Sequence, residues 1–76
     1  MLTPKSYRWR KTTDINREYA VFELLADENP ILDAGFSDVG IFDITFNAGI
    51  TGNQIEWNWL RSLIEEGWKL AELDRR

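Results

Sequence analysis

The chain has 76 residues, enough for one domain and too few for two, and it contains neither cysteine nor histidine. Those absences exclude disulfides, thiolate and imidazole metal sites, and every nucleophilic arrangement built on Cys–His or Ser–His. The net charge of −4 is unevenly spread: residues 1–17 hold five basic groups and one acid, residues 18–60 hold eight acids and no Lys or Arg, and residues 61–76 hold four of each sign.

Apolar residues make up 43 % of the chain, with four Trp and four Phe among them. Such a composition buries a core and argues against disorder. No apolar run is long enough to span a bilayer, and MLTPKSYRWRK at the start lacks the apolar stretch of a secretory signal. The expectation is a cytoplasmic protein that does not touch a membrane.

Residues 1–5 read as a loose terminus because Pro4 opposes regular pairing. From Ser6 to Thr12 aromatics (Tyr7, Trp9) alternate with bases (Arg8, Arg10), the period of a strand. Asp14 and Asn16 favour a turn through local side-chain bonds. EYAVFELL, 18–25, is short, apolar on both alternate faces and bounded by turn residues, so it reads as a second strand. Residues 26–30 end it in a loop. Residues 31–36 form a third strand, 37–40 a turn, and IFDITF, 41–46, a fourth strand of β-branched and aromatic residues at period two.

Residues 47–53 read as a loop, followed by a helix over 54–73. Asn53 as N-cap and Glu56 three residues later make a capping-box pattern. At 100° per residue Leu60, Leu63, Ile64, Gly67, Leu70 and Ala71 share one face. The predicted fold is therefore α+β: an antiparallel β-meander of about four strands (6–46), with one C-terminal α-helix packed on one face. Gly67 is expected where the helix approaches bulky Phe side chains. The opposite sheet face is expected to expose Tyr19, Val21, Leu25, Ile31 and Ile41 among charges.

Two constellations bear on function. Antiparallel pairing is expected to line up Glu23, Asp33 and Asp43 in one acidic row on the face away from the helix, and such a row needs a counter-charge, a cation or a partner. Trp57, Trp68 and Arg61 gather on one flank of the helix, with Arg61 able to stack on Trp57; these and Tyr19 are the residue types that anchor protein interfaces. The basic–aromatic stretch 7–11 is too short, and the middle of the chain too acidic, to suggest nucleic-acid binding. No calcium-loop spacing is present.

In size, acidity, lack of cysteine and meander-plus-helix layout, the whole chain resembles small bacterial immunity proteins, which block a cognate toxin by binding it. That resemblance implies an inhibitory binding role and assigns no individual residue. The leading expectation is a non-enzymatic module that binds a more basic protein partner, without cofactor, metal or catalytic residues. The alternatives are a self-associating homodimer and, third, a carboxylate-dependent cation binder or enzyme.

Overall fold

In the computed structural model, which describes residues 6–48, 52 and 54–75, four strands and one helix follow one another. They are β1 (Tyr7–Thr12), β2 (Val21–Ala26), β3 (Asn29–Phe36), β4 (Phe42–Phe46) and α1 (Trp57–Arg75). The strands form one antiparallel sheet in the order β1-β2-β3-β4. This is the α+β meander that the alternating segments predict, with α1 lying over β2 and β3.

The inner face collects the side chains that period two assigns to it. Leu24, Leu32, Ala34 and Leu63 form one buried cluster with Ala26 and Ile31; Ala20, Phe22, Phe36 and Ala71 form a second. Trp9 and Phe42 pack against both. The helix contributes its stripe of Leu63, Gly67 and Ala71. A Cβ on Gly67 would stand 2.6 Å from Cη2 and Cζ2 of Trp9, so the close approach is to a tryptophan of β1 and not to the phenylalanines.

Three expectations about the outer face are corrected, the first of them by one extra residue in β3. Leu24 pairs with Leu32, but Leu25 pairs with Pro30, leaving Ile31 as a β-bulge. A bulge sets two successive residues against one, so Ile31 turns inward beside Leu32 and joins the core. Leu25 is buried as well. Tyr19 lies half-buried against the Phe22–Phe36 cluster and is not displayed outside. The bulge also accommodates Pro30, which has no N–H to give a regular ladder.

The loop expected at 26–30 is tighter than its sequence suggests. Ala26 pairs with Asn29, and only Asp27 (φ 50°) and Glu28 (φ 68°) turn the chain. Two positive φ values in succession are the demand of a two-residue hairpin turn whose twist matches the strands. Arg8 holds Glu28 through two bonds of 2.9 Å, and this pairing keeps the Glu28 carboxyl below its ordinary value of 4.5.

The helix starts three residues later than predicted and ends two later. Asn53 lies outside the described residues, as do the residues assigned to a loose terminus, 1–5. The cap is Glu56 itself: its Oε2 accepts from the Trp59 N–H at 2.5 Å, and its carbonyl accepts the first helical bond from Leu60 at 3.0 Å. At the other end Asp74 clasps the sheet. Its carboxylate meets Lys11 Nζ of β1 at 2.5 Å and accepts the Ala20 N–H at 3.3 Å.

Candidate functional site

The outer sheet face carries a cleft of about 640 Å³, roofed on one side by the β1–β2 connection. That connection is held by local bonds: the Asp14 carboxylate accepts from the Asn16 N–H at 2.8 Å, and its carbonyl from the Arg17 N–H at 3.0 Å. The Glu18 N–H then donates to Asp38 at 3.0 Å, tying the loop to the β3–β4 turn. The cleft runs from Thr12 and Asp14 past Arg17 to Asp33, Asp43 and Thr45.

Arg17 is set by a bare stretch of sheet. Its Nη2 donates to the Phe36 carbonyl at 2.9 Å, and it stands 3.8 Å from where a Cβ on Gly35 would lie. That Cβ would also meet the Ala20 carbonyl at 3.0 Å. A mid-strand glycine signals close approach of another group, and here that group is the Ala20–Val21 backbone, with the guanidinium beyond it at ordinary contact distance. The Arg17 Nε is buried and has no hydrogen-bond partner among the described residues.

The acids form a pair and an offset third, not one row. Glu23 faces Asp33 directly. Asp33, however, faces Thr45, and Asp43 faces Gly35, so Asp43 sits two residues along from the expected position. Glu23 is neutralised by Arg10, its cross-strand partner, which binds Oε1 through Nη2. No cation is paired with Asp33 or Asp43 among the described residues. Partial burial, and then the charge of Glu23, push the Asp33 carboxyl above its ordinary value of 3.8. Among the described residues no three Asp, Glu, His or Cys side chains are grouped to hold a metal ion.

The aromatic candidates occupy a different surface. Trp57 and Trp68 are 64 % and 44 % exposed on one flank of α1, with Arg61, also exposed, between them. The cation–π contact among the described residues is Arg75 over Phe36, 3.9 Å from the ring centroid, in place of the expected Arg61–Trp57 stack. Thus Glu23, Asp33 and Asp43 come together on the outer face, while Trp57, Arg61 and Trp68 come together on the helix side. Arg17, Gly35 and Thr45 complete the cleft without having been singled out in the sequence; the mid-strand glycine was the available signal.

None of the described helices is long and apolar enough to cross a membrane. Comparison of the chain with protein-family models, with curated proteins and with solved structures finds no match.

Proposed function

We propose that this chain is a non-enzymatic binding protein whose outer-face cleft receives a basic side chain of a protein partner. The observation that carries the reading is Asp33: a partly buried carboxylate beside a second carboxylate, with no cation of its own in a concave site. A lysine or arginine entering between Asp33 and Asp43 would supply the missing charge, and charge-assisted bonds in such a setting are the stronger kind. The acidic stretch 18–60 would steer that partner in. An immunity or inhibitor role, in the cytoplasm, is one form of this function.

The test is capture of partners from the source cell on immobilised protein, with and without Asp33→Asn/Asp43→Asn. Supporting results are basic proteins retained at low salt and lost with the double substitution. Retention that ignores both salt and the two carboxylates would overturn the reading. A divalent cation is the competing occupant; a saturable rise in Tm with millimolar calcium that vanishes in Asp33→Asn would favour it instead.

A further inference from the structure

The free edge of the sheet is self-complementary, and we infer that β4 pairs antiparallel with β4 of a second copy of this chain, about a two-fold axis through Ile44. The phase of the ladder is the first observation. Asn47 donates its N–H to the Ile31 carbonyl at 2.9 Å, and Ser37 donates to the Ile41 carbonyl at 2.8 Å. In an antiparallel ladder the bonding residues alternate. Residues 41, 43, 45 and 47 therefore turn their backbone groups toward β3, and Phe42, Ile44 and Phe46 turn theirs outward, away from the sheet. No strand among the described residues takes up those groups.

The second observation is the order of side chains. Phe-Asp-Ile-Thr-Phe reads with the same pattern of apolar and polar residues in both directions. An axis through Ile44 places Phe42 against Phe46 of the second copy and Ile44 against itself, all three as hydrogen-bonded pairs that use the outward groups. On the outer face it sets Asp43 opposite Thr45, a hydroxyl donor, so no two acids meet directly. The edge carries no lysine, proline, bulge or inward charge. The other edge is different: β1 bears Arg8, Arg10 and the inward Lys11, which oppose such pairing.

The third observation is what the pairing would cover. Because α1 lies over β2 and β3, the inner face of β4 is incompletely roofed: Phe42 and Ile44 are half-buried and Phe46 is 50 % exposed. Trp59 meets Tyr7 of β1 from one flank of α1, while Arg75 on the other flank reaches Phe36 and comes within 3.8 Å of the Cβ position of Gly40. Helical geometry puts Trp57, Ile64 and Trp68 on that second flank, which looks toward β4. A two-fold axis normal to the sheet keeps both helices on one face, with these flanks turned to each other across the joined strands. The exposed tryptophans and Phe46 then share one apolar seam.

Sedimentation equilibrium of the whole chain over a range of concentrations should show a reversible dimer. Phe46→Lys should raise its dissociation constant by about tenfold or more, because each copy would bury an unpaired ammonium. Ile15→Lys, on the exposed β1–β2 connection, should leave it unchanged. The register has its own test, since the chain has no native cysteine. Residues 43 and 45 of opposing copies form a non-hydrogen-bonded pair, within disulfide reach. Oxidation of a mixture of Asp43→Cys and Thr45→Cys chains should give mainly the mixed 43–45 disulfide. A monomer at millimolar concentration, a dimer unaffected by a folded Phe46→Lys variant, or coupling as frequent between two Asp43→Cys chains would each overturn the inference. Both cysteines replace exposed residues, so that measurement stands even if Phe46→Lys does not fold.

Discussion

Gly67 occupies a helix interior, where alanine is ordinarily better by about 1 kcal/mol. Here the sign should invert. The added methyl would fall 2.6 Å from the Trp9 ring, and that ring packs against both buried clusters, leaving it little room to retreat. Gly67→Ala should cost about 1–3 kcal/mol in urea unfolding, the usual penalty for overpacking. Asp33 makes a pH-dependent prediction. Its folded carboxyl holds the proton more tightly than the unfolded chain does, so its favourable contribution is complete below the ordinary value of 3.8 and is lost as pH rises through the raised folded value. Asp33→Asn should therefore stabilise the protein at neutral pH, by less than about 1 kcal/mol because solvent screens the site, and the gain should shrink toward zero in acid. A pH series of melting curves on the two proteins measures this. An unchanged difference across the series would assign the effect to packing.

Glu56 caps α1 through its side chain and its carbonyl at once. Glu56→Ala should lower stability by about 1 kcal/mol, and Glu56→Asp or Glu56→Ser should recover most of it, read by thermal melting. The sequence motif pointed one turn too early because Asn-x-x-Glu satisfies the capping rule on composition, whereas the glutamate accepts from the N–H three residues after itself. The same contrast separates what was legible elsewhere. Period-two alternation located β1 and β4, short apolar length between turn residues located β2, and the inner face followed because each strand has one face toward the core. The bulge at Ile31 left no such trace: Ile31-Leu32 reads as a regular start to a strand after the loop, and only its cross-strand partners reveal the extra residue. Ile31 was misplaced for that reason; Leu25 keeps its regular pairing with Arg8 and is buried all the same. Asp33 and Asp43 were misaligned because the β3–β4 turn sets the register: Ser37 receives the Gly40 N–H on its carbonyl and the Ile41 N–H on its hydroxyl, and pairing resumes with Phe36 against Phe42.

In the whole molecule, the cleft depends on residues far apart in the chain, which is why only its acids were visible beforehand. Arg17 comes from a connection, Gly35 from β3 and Asp43 from β4; no local pattern joins them. Pairing through β4 would bring the Asp43 and Thr45 ends of two such clefts side by side, presenting a basic partner with two acidic recesses on one continuous face. The clasp at Asp74 acts at the same scale. Its Lys11 bond, with help from the Ala20 N–H, holds the carboxyl below the ordinary value of 3.8. Its stabilisation is thus present above that value and lost as pH falls through the lower folded value. Asp74→Asn should cost about 1 kcal/mol at neutral pH, since Lys11 is half open to solvent, and nothing in strong acid. The clasp also has a consequence in time. Each strand pairing joins neighbours in the chain, and such contacts close early; Lys11 and Asp74 belong to the first strand and the last turn of the helix, so the chain between them must be ordered before they meet. A contact made after the barrier slows escape from the folded state without hastening arrival. In stopped-flow chevrons Asp74→Asn should leave the refolding arm where it is and lift the unfolding arm, making this one ion pair a setting of how long the folded protein lasts.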